Sequence, residues 1–139
     1  MTAPHFVHER TILFGECDPA GILYTPRICE YVVESALLFL TTILKEPFER
    51  YIFAQSMSLP ARNLEVDFLR PLTWDDQIQL YASVSEVRKH AYTILISATN
   101  ENDETAFTGK LTQICVSTTD KRITAIPEKL RTALERLSA

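Results

Sequence analysis

Apolar positions recur at two different spacings along this chain, and the switches between them divide it into elements. From Thr25 to Leu44 they fall at 28, 31, 32, 36, 39, 40 and 43, the three-to-four-residue recurrence of a helix. Thr25 stands where an N-cap hydroxyl would accept a hydrogen bond from the first turn, and Pro26 suits the first helical position, which needs no N–H. Charges within the run occur only at Arg27, Glu30 and Glu34, on the same side as Leu37 and Thr41. From Ser35 to Leu44 no face is charged, the pattern of a helix buried nearly all round. The helix is expected to end near Lys45-Glu46-Pro47, because proline cannot continue it.

Elsewhere the period is two. His8 to Phe14 reads as a strand, with Arg10, Ile12 and Phe14 on one face and Thr11 and Leu13 on the other. After a short helical turn within residues 48–58, a strand runs from Ala61 to Leu69, where Leu64-Glu65-Val66-Asp67-Phe68 alternates apolar with acidic. A third strand spans Gln77 to Val87, with Ile78, Leu80, Ala82 and Val84 facing inward, and a fourth spans Ala91 to Thr99. Arg88-Lys89-His90 joins these two. Asn100 to Glu104 forms a five-residue polar hairpin loop. Thr105 to Thr118 reads as one last long strand with Gly109 as a candidate bulge. Pro127 opens a terminal helix whose stripe is Leu130, Ala133, Leu134 and Leu137.

One strand, a long helix, four antiparallel strands and a short helix make an α+β domain, with residues 1–139 taken as a single unit. A helix apolar on every side needs cover on every side. A strongly curved sheet supplies most of it and a second subunit the rest, so a dimer is the natural expectation.

Composition narrows the partners. A net charge of −4 and a pI near 5.4 argue against nucleic acid as the main partner, but leave room for an anionic ligand on a local basic patch. The N-terminus lacks a basic-then-apolar signal pattern, and the longest uncharged apolar stretch falls short of a membrane span. Cys17, Cys29 and Cys115 form an odd, scattered set without a CxxC, which fits reduced thiols in the cytoplasm.

The candidate chemistry centres on Asp18. Asp18-Pro19-Ala20-Gly21 is a turn, and an aspartate there commonly does no more than organise it. This turn, however, runs directly into the N-terminus of a core helix, where free N–H groups and the dipole favour developing negative charge. A carboxylate beside such donors is a minimal kit for attack on a carbonyl. Glu16 reads as a solvated loop acid, and Cys17 as a small buried hydrophobe rather than a nucleophile served by His5, His8 or His90. The three histidines show no metal-ligand spacing. Arg88-Lys89-His90 is either a solvated turn or a phosphate clamp, with Arg62 and Arg70 available to add to its field.

The stretch Phe14-Gly15-Glu16-Cys17-Asp18-Pro19-Ala20-Gly21-Ile22-Leu23-Tyr24 resembles the signature of the 4-hydroxybenzoyl-CoA thioesterase family, most strongly over residues 8–40. The resemblance implies the hotdog fold, a curved antiparallel sheet wrapped around a long central helix. It also implies hydrolysis of an acyl-CoA thioester without metal or redox cofactor. By that analogy Asp18 is nucleophile or general base, and the backbone N–H at Thr25 polarises the carbonyl. Gly21 and Tyr24 are substrate-binding positions, and Arg88, Lys89 and His90 meet the CoA phosphates. Family members are dimers or tetramers with sites between subunits. Tyr24-Thr25 stands in place of a pair of aromatics, and Val32 and Val33 in place of a helix acid suited to a phenol, departures that bear on the acyl group more than on the reaction. The alternatives are a non-catalytic binder of acyl thioesters and a thioesterase acting on acyl carrier protein.

Overall fold

The computed structural model describes residues 4–138; residues 1–3 and 139, the ends of the expected domain, lie outside them. The elements in order are β1 (His5–Thr11), α1 (Thr25–Leu44), α2 (Phe48–Ala54), β2 (Met57–Ser58), β3 (Ala61–Phe68), β4 (Gln77–Val87), β5 (Ala91–Thr99), β6 (Thr105–Ile114), β7 (Val116–Ser117) and α3 (Glu128–Leu137). Five strands form one antiparallel sheet in the order β1-β4-β5-β6-β3, and β2 pairs with β7 in a small second sheet. Helix α1 lies on one face of the large sheet. Ile28, Tyr31, Val32, Ala36, Phe39 and Leu40 of the helix meet Ile78, Leu80, Ile94, Ile96 and Leu111 of the strands in one core. This is the expected α+β hotdog arrangement.

Several local expectations are corrected. The first strand ends at Thr11, and Phe14–Glu16 forms a single 3₁₀ turn, so Phe14 is exposed rather than aligned with buried Ile12. Thr25 is not the N-cap: Tyr24 holds that position without a side-chain cap bond, Thr25 is the first helical residue and Pro26 the second. Proline tolerates this because the first-turn N–H groups have no intrahelical acceptor. Gly109 is not a bulge. It pairs in register with Val66 and Ile96, and a Cβ there would meet a γ-methyl of Val32 at 2.5 Å. The glycine lets the helix approach the sheet. The last strand does not run through to Thr118. Cys115 leaves the ladder, giving its N–H to the His90 carbonyl at 2.8 Å, and the chain then pairs with Met57–Ser58.

Within one chain α1 is left uncovered on one side, in keeping with the expectation that one sheet supplies only most of its cover. Leu38 is 43% exposed, and with Val33, Leu37 and Leu64 it lines an open apolar groove of about 550 Å³ edged by Glu30 and Glu34. The apolar face of β3 is only partly covered for the same reason. It is the edge strand, and Leu64 and Phe68 remain 38% and 53% exposed.

Candidate active site

The residues between β1 and α1 fold into a tight hairpin. Ile12 exchanges backbone hydrogen bonds with the 75–76 segment, Cys17 bridges Leu23, and Ile22 bridges Thr73. At its tip the Asp18 N–H donates to Ile22 O at 2.8 Å and the Gly21 N–H to Asp18 O at 2.9 Å. Gly21 takes φ 81°, a conformation that L side chains adopt rarely, which is why glycine stands there. The Asp18 carboxylate does organise this turn: Oδ1 accepts the N–H groups of Ala20 at 2.9 Å and Ile22 at 3.1 Å. Oδ2 is left free among the described residues. Thr73 clamps the tip from outside, its hydroxyl donating to Gly21 O at 2.6 Å.

The hairpin delivers the chain to the start of α1 with one donor unspent. The Tyr24 N–H donates to Glu16 O at 2.9 Å, Pro26 has no N–H, and the Arg27 N–H donates to Tyr24 O at 2.8 Å. Of the first helical residues this leaves the Thr25 N–H free among the described residues, at the positive end of a 20-residue helix. Beside it lies a cleft of about 260 Å³ that Thr25 lines with Ile22, Ile28, Phe68, Leu69 and Pro71, Arg70 being its one charged residue.

Glu16 overturns the expectation of a solvated loop acid. It is only 8% exposed, and the Arg10 guanidinium binds it bidentately, Nη1 to Oε1 at 2.9 Å and Nη2 to Oε2 at 3.1 Å. The Tyr31 hydroxyl donates to Oε1 at 2.5 Å and the Leu13 N–H at 3.1 Å. Burial by itself would raise the Glu16 pKa, but the hydrogen bonds from Arg10, Tyr31 and Leu13 outweigh it and hold the carboxyl below its ordinary 4.5. Arg10 and Tyr31 did not emerge as functional from the sequence. The available signal was a charged residue on the same strand face as Ile12, which burial allows only with a partner. Cys17 is only partly buried, not the buried hydrophobe expected; desolvation nevertheless raises its thiol above the ordinary 9.0, and Sγ donates to the Leu13 carbonyl at 3.7 Å.

The basic turn sits elsewhere. The hairpin is braced beside the start of β4, whereas Arg88 follows its last residue. Eleven residues of strand separate the two ends by about 33 Å. The turn is held from behind by α3: Arg131 Nη2 donates to the carbonyls of Arg88 at 2.5 Å and Lys89 at 3.1 Å. His90 turns inward, its Nδ1 buried without a hydrogen-bond partner among the described residues. Arg62 joins Arg88 and Lys110 along a groove of about 360 Å³ on the sheet face away from α1. A bulge between Ala61 and Asn63 accounts for this, since the extra residue in a bulge is free of the strict alternation. Arg70 does not join them; it is tied to Glu104 and to the Thr105 carbonyl. Among the described residues no three His, Cys, Asp or Glu side chains converge as a metal site, and no helix is long and apolar enough to cross a membrane.

A five-stranded antiparallel sheet wrapped around one long helix is the hotdog fold. The chain belongs to the thioesterase-like superfamily, whose profile matches residues 12–134, and is a thioester hydrolase. It is 27% identical over 117 residues to a 1,4-dihydroxy-2-naphthoyl-CoA hydrolase of Crocosphaera subtropica, covering 82% of each chain. It is 23% identical over 130 residues to the same-named protein of Synechococcus elongatus, covering 91% of this chain and 93% of the relative. In structure it is similar to a 1,4-dihydroxy-2-naphthoyl-CoA thioesterase from Synechocystis, with TM-score 0.85 at 15% identity, covering 97% and 98% of the two chains. A thioesterase superfamily protein from Jannaschia gives TM-score 0.87 at 22% identity, covering 100% of this chain and 99% of the other.

Proposed function

We propose that the substrate is an acyl-CoA, that its acyl group is aromatic, and that Asp18 performs the chemistry with the Thr25 N–H as oxyanion donor. The observation that carries this reading is the leftover donor: of the N–H groups of residues 25–27 that of Thr25 alone has no acceptor among the described residues, and Thr25 lines a mostly apolar cleft to which the Asp18 hairpin contributes Ile22. Asp18 either takes a proton from the water that attacks the thioester carbonyl, or attacks that carbonyl itself to give an anhydride that water then opens. In both routes the tetrahedral oxyanion is met by the Thr25 N–H, and CoA leaves as a thiolate that takes up a proton. Loss of one such donor typically raises a barrier by about 2.7–4 kcal/mol. Gly21 and Tyr24 border the acyl end. The relatives' names, each an aromatic acyl on CoA, support the substrate class; 4-hydroxybenzoyl itself has less support, because Val32 is packed on Gly109 and no acid stands at that helix position.

Arg88, Lys89 and His90 are read as the CoA-phosphate end, with Arg62 as an addition from the groove that Arg88 lines. The turn follows one end of β4 and the hairpin is braced beside the other, with about 33 Å of strand between those ends, so a complete site calls for a second copy that brings one chain's turn to the other's hairpin. The apolar groove along α1 and the exposed face of β3 are a surface suited to such a homodimer or homotetramer. The test is Asp18→Asn. Asparagine retains Oδ1 for the Ala20 and Ile22 N–H groups, so the turn persists while the charge is lost. Thiol release from aromatic acyl-CoAs should fall about 10²–10⁴-fold in kcat, with binding of a non-hydrolysable analogue and Tm little changed. Near-native turnover in the folded variant would refute the assignment.

A further inference from the structure

Turn hydrogen bonds hold Asp18 within its own hairpin, but they do not fix that hairpin against the helix that carries the Thr25 N–H. A separate cluster does. Arg10 reaches from β1 to both oxygens of Glu16, donates through Nε to Glu34 Oε2 at 2.9 Å, and lies 3.9 Å over the ring of Tyr31. Arg10 Nη1 also donates to the Tyr31 hydroxyl at 2.8 Å, and that hydroxyl donates onward to Glu16. Glu16 is thus bound to the helix by its side chain through Tyr31, and by its backbone through the Tyr24 N–H. Asp18 follows Glu16 by two residues, and Thr25 follows Tyr24 by one. Both reacting groups are therefore one or two residues from points that this cluster pins together.

A buried ion pair is weak evidence of a role in stability, since apolar residues of similar volume often serve a fold as well. What apolar packing does not supply is a fixed direction. A bidentate guanidinium–carboxylate pair sets both distance and plane, and the third bond from Tyr31 fixes the pair to α1. We propose that Arg10, Glu16 and Tyr31 act as positioning residues that set the Asp18 carboxylate against the Thr25 N–H. The proposal rests on the reading of Asp18 as the reacting carboxylate, and concerns residues that touch no substrate.

The experiment uses the full chain with Glu16→Gln and Tyr31→Phe. Glutamine leaves Arg10 without its buried anion, with only Glu34 remaining, and phenylalanine keeps the ring under Arg10 while removing the direct side-chain bond from Glu16 to the helix. Misplacement of reacting groups by about 1 Å can cost about 10²-fold, so kcat should fall by about 10–10²-fold in each. KM for acyl-CoA and the Kd of a non-hydrolysable analogue should stay within about twofold, because the cations assigned to CoA lie at the other end of β4. A purely structural role gives the reverse pattern: lower Tm and less folded protein, with kcat per folded molecule unchanged. That result in Tyr31→Phe overturns the proposal, and it decides alone if Glu16→Gln does not fold. Asp18→Asn run alongside separates the two ideas. If it is inactive while the cluster variants turn over normally, only the positioning role fails; if it turns over normally, the premise fails and the proposal with it.

Discussion

Gly109 is where α1 presses on the sheet, and replacing it tests the packing that sets the helix, and with it the Thr25 N–H, in place. A Cβ at this position would lie 2.5 and 2.7 Å from the two γ-methyls of Val32 and 3.2 Å from its Cβ. Val32 is fully buried, and a β-branched residue in a helix is held close to one χ1 rotamer. It has nowhere to turn. Gly109 has no positive φ, so alanine fits its backbone and should gain about 0.4–1 kcal/mol by restricting the unfolded chain. Against that, overpacking of a dense core costs about 1–3 kcal/mol, and two overlaps below 3.0 Å argue for the upper part of that range. The net for Gly109→Ala is a loss of about 1–2 kcal/mol, or a Tm lower by about 3–10 °C. Val32→Ala alone removes two buried methyl groups and should cost about 2 kcal/mol. In that background the two overlaps below 3.0 Å vanish and only the 3.2 Å contact with the retained Cβ is left, so the cost of Gly109→Ala should fall to about zero. Urea and thermal melts of the four proteins close the double-mutant cycle. Effects that add within about 0.5 kcal/mol would refute the reasoning, since contacting residues must couple.

The CoA assignment predicts that Arg88→Ala with Lys89→Ala raises KM for acyl-CoA several-fold, and that Arg62→Ala alone raises it less. Small acyl thioesters lacking the nucleotide should be unaffected in both variants, and an unchanged KM for full-length CoA esters would sink the assignment. Stability should fall on acidification in two stages. His8, whose pKa is lowered from 6.5 mainly by burial, is favoured neutral in the fold, so its contribution is whole above pH 6.5 and is lost below it. Glu16, held below 4.5 by its donors, adds a contribution that is whole above pH 4.5 and lost as pH drops through its folded value. A Tm series from pH 8 to 3 on the native chain and on His8→Gln should show the upper stage only in the native chain. A Tm that rises on acidification would contradict both assignments.

Element types and their order were legible in the sequence because they depend on local chemistry. The three-to-four-residue recurrence from Thr25 to Leu44, the alternation through Ile78, Leu80, Ala82 and Val84, and the Asp18–Gly21 turn each arise from residues close in the chain. Asp18 stood out for the same reason, since a turn meeting a helix start is a short-range pattern. What the tertiary structure decided was the set of partners. Glu16 looked like any loop acid until β1 brought Arg10 to it and the helix brought Tyr31, fifteen residues further on. Gly109 looked like a bulge because nothing near it in the chain announces Val32 across the core. Arg62 was freed toward Arg88 by a register shift in β3, and Arg70, eight positions later, was not. That one sheet leaves part of the uncharged helix uncovered was legible, since a sheet can wrap only part of a cylinder; that Leu38 is a residue left outside was decided by the packing. Periodicity records which side of an element is apolar. Which distant group meets that side depends on strand register and on the packing of helix against sheet, and these arise only when the whole chain closes on itself.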